Sequence, residues 1–352
     1  MKKNTRFYDQ HEEFTDIAYN SDKDILPDRY VFILTNLCNL NCDFCFQDKV
    51  PKKNAMTFED WVNVTKQLPE YARVTLTGGE PLIFKSFMKV FKNVAEKFDC
   101  NIITNGLLLD EEKINYFLDF PRFKILSLSI DDIGGRIRGV NSKQWNHLTE
   151  MAKYFVDLKN IKNPDCTLDV KTTILDRNVE NLFKIYKYMV EEIGANTHSF
   201  QFLKGSPIQH SDRMFSLQDI TQKSQAYEYK KFGTILKQLE LIREYNLRNK
   251  KNSYLHPKIC SLTGEKPIEN IDYINNTDHI NELHKPCKFP WSSVHINYDG
   301  NLFPCLAVSM GDVKEKTLDE IIKGGKFRKF RSLIKKNGTV EACNRCGWLR
   351  PK

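Results

Sequence analysis

Ten cysteines punctuate this chain, and seven of them fall at spacings that suit metal ligation better than disulfides. Three lie within eight residues, as Cys38-Asn39-Leu40-Asn41-Cys42-Asp43-Phe44-Cys45, just after the apolar run 30–34. A cubane iron–sulfur cluster has four irons held by thiolates, so this trio leaves one iron open to another ligand. Zinc also takes thiolates, but its structural sites want four ligands. No further cysteine or histidine lies within ten residues on either side, so a zinc knuckle would need a ligand from elsewhere. The other four are Cys287, Cys305, Cys343 and Cys346, the last two as Cys-Asn-Arg-Cys. Between the first two, residues 295–298 and 301–303 flank Asp299-Gly300, the signature of a β-hairpin. That hairpin brings Cys287 near Cys305, and the Cys-x-x-Cys pair completes four thiolates, suited to a second cluster or to zinc.

The elements that must position these thiols read as repeated βα units. Short apolar runs at 30–35, 73–76, 100–104, 125–130, 167–175 and 198–204 alternate with amphipathic helices, the pattern of a parallel sheet. Thr57 caps the first helix, which carries Phe58, Trp61, Val62 and Leu68. The second has Phe84, Phe87, Phe91, Val94 and Phe98 on one face, a core stripe. Trp145, Leu148, Met151 and Phe155 mark a third, and 179–193 a fourth. Functional residues of such folds gather at the carboxyl ends of the strands. Gly78-Gly79-Glu80-Pro81 follows the second strand there: glycines permit close backbone approach, and Glu80 offers an acceptor for an ammonium group. Asn105-Gly106 ends the third strand. Ser129 and Asp131 end the fourth and share one face. Residues 205–286 break the rhythm, with one long helix expected over 216–250 and an Asn-rich stretch beyond it, a segment suited to covering a site. Residues 1–28 carry no clear periodicity.

The cysteine trio, the aromatic Phe44 before its last member and the glycine-rich turn about thirty residues later closely resemble the radical S-adenosylmethionine (radical SAM) enzymes. The resemblance implies a partial (βα)6 TIM-like barrel, α/β in class, over 29–204. It implies a 4Fe–4S cluster on Cys38, Cys42 and Cys45 whose open iron is chelated by S-adenosylmethionine. Gly78, Gly79 and Glu80 would then bind the methionine amino group. Phe44, Thr104 and Asn105 would line the cofactor pocket, and Ser129 and Asp131 would serve the ribose and the carboxylate. Arg138 is the candidate partner for that carboxylate, since a guanidinium matches it bidentately; Asn178, after the fifth strand, is a lesser candidate for the pocket lining. The segment 287–352 resembles the SPASM and shorter twitch modules, with a β-hairpin and helix around an auxiliary cluster. The chain ends six residues after Cys346, which leads to an expectation of one auxiliary 4Fe–4S cluster. The domains are thus an extension at 1–28, the core at 29–204, a linker at 205–286 and the auxiliary module at 287–352.

Composition is that of an ordinary globular chain, 41% apolar and 28% charged over 352 residues, with no apolar run of membrane-spanning length and no signal-peptide core. A cytoplasmic protein without membrane or nucleic-acid partners is expected. The net charge of +8 is modest, and the basic run 323–336 carries Phe327, Phe330, Leu333 and Ile334 at helical spacing, so it reads as a solvated helix face. The resemblance implies reductive cleavage of S-adenosylmethionine, fed by an external flavodoxin- or ferredoxin-type donor, and hydrogen abstraction from a substrate carbon. An auxiliary cluster with four cysteines suits acceptance of a second electron, as in the carbinol dehydrogenase of aminocyclitol biosynthesis and the anaerobic sulfatase-maturating enzymes. No residue identifies a catalytic base. The first 28 residues are too few for a leader-binding domain, which tilts the expected substrate toward a sugar, cyclitol or nucleotide-linked small molecule. Maturation of a ribosomally made peptide is the alternative. A non-enzymatic, zinc-stapled binding protein is a third reading.

Overall fold

A computed structural model describes residues 5–21, 24–45, 47, 54–203, 227–269, 272–275, 280–305, 308–340 and 343–352. In chain order the first half contains α1 (Thr5–Asn20), β1 (Arg29–Ile33), α2 (Phe58–Lys66), β2 (Arg73–Thr77), α3 (Phe87–Ala95), β3 (Asp99–Thr104), α4 (Glu111–Leu118), β4 (Phe123–Ser129), α5 (Ser142–Lys162), β5 (Thr167–Ile174), α6 (Leu182–Glu191) and β6 (Thr197–Phe202). Thereafter come α7 (Phe232–Asn249), β7 (Ser253–His256), α8 (Ile280–Leu283), β8 (Ser293–Ile296), β9 (Asn301–Phe303), β10 (Gly311–Asp312), α9 (Leu318–Ile322) and α10 (Gly325–Asn337).

All six expected strands form and pair in parallel from β1 to β6. Three of their helices begin where side chains satisfy the orphan backbone donors: capping boxes at Thr57/Asp60 and Asn141/Gln144, and Asp110 before α4. The sheet is longer than the six-unit reading, running β10-β9-β8-β1-β2-β3-β4-β5-β6-β7. Two of the added pairings escaped the sequence. Strand β7, inside the segment expected to be a linker, adds in parallel to β6, and β8 adds in parallel to β1. The auxiliary hairpin is therefore an extension of the barrel sheet. Its turn forms as expected, with Gly300 at a φ of 94°. The long helix begins at Phe232, and the part expected over 216–226 lies outside the described residues. In α10, Phe327, Phe330 and Ile334 are buried and the lysines face outward, as expected of a solvated face.

Alternation divides the sheet residues between two sides. Tyr30, Phe32, Val74, Leu76, Ile102, Leu126, Leu128, Leu168 and Val170 pack under the helices, with the rings of Phe91, Phe117 and Phe123 at the centre. The opposite side is mostly polar, apart from Val31 and Ile33 against Tyr298, and carries the site. Helix α1 closes the structure, with Thr15 donating to the Ser292 hydroxyl and Lys288 pairing with Asp16.

Two buried histidines make stability depend on pH. His11, which donates to Asp28, and His198, stacked on Phe200 at 4.4 Å, are pushed by burial down to about 4 and about 3. Between these values and 6.5 the unfolded chain binds more protons than the folded one, so stability is complete above 6.5 and is lost as the pH falls. Going from pH 7 to pH 5 should cost about 2 kcal/mol per histidine. Urea midpoints at the two pH values check this, and His198→Phe should show a smaller pH dependence.

Candidate active site

The carboxyl end of β2 meets the start of the cysteine loop. Gly79 N donates to Thr35 O at 2.7 Å and Glu80 N to Leu37 O at 2.8 Å. A Cβ at Gly78 would lie 2.6 Å from Thr35 O, and one at Gly79 2.3 Å from Leu37 O. The glycines thus let two backbone segments touch, where the sequence suggested close approach to a ligand. Glu80 is fully buried and accepts from Thr104 Oγ1 at 2.7 Å, Asn105 N at 2.8 Å and Leu82 N at 3.1 Å. These donors tie the end of β2 to the end of β3. A carboxylate has about four acceptor positions, and with three used, one remains for an ammonium donor. Burial pushes this carboxyl above its ordinary range despite the three donors, so an arriving cation would stabilise its charged form. Asn105 continues the chain of contacts, donating to Asn39 Oδ1 at 2.7 Å and toward Cys38 Sγ at 3.8 Å.

Beyond β4 the expected pairing changes. Arg138 pairs with Asp131 at 2.5 Å, and Asp131 also accepts from Thr173 N at 2.6 Å. Asp131 is buried, so in this structure its immediate work is to hold Arg138. Asn178 donates to the carbonyls of Asp131 and Thr173, which makes it a tie between strand ends. Ser129 is half-buried at the last position of β4. Phe44 lies 5.5 Å from the Arg138 guanidinium and 5.3 Å from that of Arg177. An open cavity of about 430 Å3 is lined by Asn39, Asn41, Asp43, Arg136, Arg138 and Arg177, among others. Among the described residues, no three His, Cys, Asp or Glu side chains are drawn as close as a metal would hold them. Cys38 and Cys42 are half-buried and Cys45 is exposed, all on one short loop.

Below the mouth, the polar side of the sheet forms connected rows. Asp169 accepts from Lys171 Nζ at 2.9 Å, Thr197 Oγ1 at 2.8 Å, Ser199 Oγ at 3.1 Å and Ser127 Oγ at 3.2 Å. Lys171 stands opposite Ser129 on β4 and Ser199 on β6, and its side chain is about a third exposed (32%). Gln201 and His256 complete the next row. His256 Nδ1 donates to Gly347 O at 3.4 Å, which seats the auxiliary module against this wall.

Cys287, Cys305, Cys343 and Cys346 share one neighbourhood. Burial, and then the nearness of Cys346 and Cys305, push the Cys287 thiol up to about 12, and Cys343 is raised by burial, Cys287 and Cys346. Thiols crowded together in this way form a donor set that a multivalent iron–sulfur cation suits. Between the last two, Arg345 sits buried at a φ of 54°. It donates to Ile274 O at 3.1 Å and Leu203 O at 3.2 Å, over the Tyr229 ring at 5.0 Å. Arg345→Met should cost about 3 kcal/mol, since two carbonyls lose a charged donor; urea unfolding measures it.

Residues 32–160 match the radical SAM superfamily, and residues 287–347 match the SPASM iron–sulfur cluster-binding domain. The chain belongs to the radical SAM superfamily. This radical SAM protein carries its SPASM domain where the second cysteine set lies, and 4Fe–4S clusters and S-adenosylmethionine are its cofactors. It is 25% identical over 187 residues to the sporulation killing factor maturation protein SkfB of Bacillus subtilis, covering 52% of this chain and 43% of that one. It is 22% identical over 286 residues to a probable GTP 3',8-cyclase of Methanococcus vannielii, covering 78% and 82%. Its fold resembles Streptococcus suis SuiB bound to the precursor peptide SuiA, with a TM-score of 0.64 and 16% identity over 93% of this chain and 71% of that one. The chain spans about half the length of several curated relatives that it matches. Arg177, Lys171, His256 and Arg345 were missed in the sequence of this radical SAM protein. Arg177 alone gave a signal, by following the fifth strand.

Proposed function

We propose that this chain is a radical SAM maturase that modifies a ribosomally made peptide. The observation carrying this reading is the half-buried polar row of Ser129, Lys171, Gln201 and His256 on four adjacent strands, seated on the buried Asp169 cluster, which offers donors and acceptors along the sheet. An extended backbone has a donor and an acceptor at nearly every residue, and such a wall suits it better than a closed pocket would. Likeness to SkfB, a maturation protein, and to a peptide-bound SuiB fold supports the same reading. It displaces the small-molecule substrate that the short stretch before residue 29 had suggested.

Cys38, Cys42 and Cys45 would hold the first cluster, Glu80 the ammonium group of S-adenosylmethionine, and Cys287, Cys305, Cys343 and Cys346 the auxiliary cluster. When bound, these groups supply a one-electron cleavage and a hydrogen-abstracting carbon radical. The first electron comes from an external flavodoxin- or ferredoxin-type donor. The chain's own part is orientation: Asp131 holds Arg138, Glu80 ties β2 to β3, and Lys171 presents a cation to the substrate, held in place by Asp169.

A nucleotide substrate is the second reading, favoured by the breadth of the match to the GTP cyclase. The test is anaerobic incubation of reconstituted protein with reductant, S-adenosylmethionine and either GTP or short peptides encoded beside the gene. Loss of two hydrogens from a peptide, or solvent deuterium at one of its α-carbons, supports maturation. Conversion of GTP with the peptides untouched sinks it.

A further inference from the structure

Arg177 stands at the carboxyl end of β5, and both its neighbours are fixed. Asp176 accepts from Lys230 N at 3.1 Å and Lys231 N at 3.2 Å, and Asn178 is tied to the Asp131 and Thr173 carbonyls. From this anchored base the guanidinium reaches the cysteine loop. Its Nη1 donates to Asp43 Oδ2 at 2.8 Å and its Nη2 to Asp43 Oδ1 at 2.5 Å, a two-pronged pair across 134 positions of sequence. The same group lies 5.3 Å from the centre of the Phe44 ring, which Arg138 approaches at 5.5 Å. Asp43 and Phe44 are the two residues between Cys42 and Cys45. Arg177 and Asp43 lie on the same cavity as Arg138, so their pair spans its mouth.

An ordinary exposed ion pair contributes little. This one differs in having fork geometry, a ring contact and a rigid base, and in joining two parts of the barrel that no strand pairing connects. The geometry points to Arg177 as a positioning residue that latches the Cys42–Cys45 turn to the end of β5. Through Asp43 it sets where the turn lies, and through Phe44 it sets the wall beside Cys45. The latch's bearing on catalysis rests on the cofactor reading above; the latch itself does not.

The test uses the full-length chain, metal-free and after anaerobic reconstitution with iron and sulfide. Hydrogen exchange over residues 39–45 of the metal-free chain should quicken about tenfold in Arg177→Ala, and less in Arg177→Lys, which keeps charge but loses the fork. The exchanged pair Asp43→Arg with Arg177→Asp should restore slow exchange, and high salt should move the natural chain toward Arg177→Ala. In reconstituted protein, the EPR line shape of the reduced cluster should change in Arg177→Ala and return in the exchanged pair. Exchange in Arg177→Ala at the natural rate, or an exchanged pair no slower than Arg177→Ala, overturns the latch. Failure of the natural chain to take up iron would sink the cofactor reading and leave the exchange result standing on its own.

Discussion

Cys42→Ser is expected to lower 5'-deoxyadenosine formation by more than about a hundredfold, beyond what loss of a mere supporting partner costs a metal site. Cys42 is the middle member of the trio, with Sγ 3.9 Å from Arg138 O, so its loss leaves two thiolates on a loop too short to recruit a third. A serine hydroxyl stays protonated near neutral pH and binds iron poorly by comparison with a thiolate. Iron and sulfide per chain should fall by about half if the auxiliary set fills independently. The far-ultraviolet dichroism should be little changed, because Cys42 lies in a loop, outside every strand and helix. Cys260→Ser is the matched control: Cys260 is half-buried, packs against an apolar cluster that includes Phe200, Leu239, Ile242 and Leu255, and belongs to neither set. Equal activity in the two variants would refute the assignment of the trio.

The second large effect is expected from adding one methyl group. In Gly79→Ala the new Cβ would lie 2.3 Å from Leu37 O and 2.7 Å from Asn36 O, both backbone atoms. Side chains can rotate away from such a clash; these carbonyls cannot without moving the loop that carries Cys38. Overpacking of this kind costs about 1–3 kcal/mol, and each backbone hydrogen bond lost at the junction about 1 more. The junction should open while the barrel stays folded, with cluster uptake falling at least about tenfold for each 1.4 kcal/mol the loop loses. Gly233→Ala separates this from a general glycine effect: nothing lies within 4 Å of its Cβ, and in α7 the change should be neutral or stabilising by up to about 1 kcal/mol. Normal iron content in Gly79→Ala would show that the two backbone segments need not touch.

Much of this architecture was legible because its signals are local. The strands from β1 to β6 announced themselves by apolar runs set between amphipathic helices, and Thr57 gave its helix start by chemistry alone. Strand β7 and the pairing of β8 with β1 were not legible for the opposite reason. Ser253–His256 and Ser293–Ile296 are four residues each, and the strands they extend, β6 and β1, lie far away in sequence. The site divides the same way. The cysteines and the Gly-Gly-Glu turn carry spacing that can be read, whereas the Asp131–Arg138 pair and the Arg177–Asp43 fork exist only once separate strands lie side by side. Glu80 is instructive because its position was readable and its company was not: three protein donors surround a group that the sequence offered to a ligand alone.

Strand β1 lies between β2 and β8, and Arg29 and Ser293 are 264 positions apart. A ribosome working at roughly 5–20 residues per second therefore makes one neighbour of β1 early and the other on the order of ten to fifty seconds later. Throughout that interval the nascent barrel shows one bare edge of Arg29-Tyr30-Val31-Phe32-Ile33, a template to which any extended chain nearby can add. Yield during synthesis should therefore be governed by how long that edge waits, and slowing translation over 205–286 should harm this chain more than slowing it anywhere after Ile296.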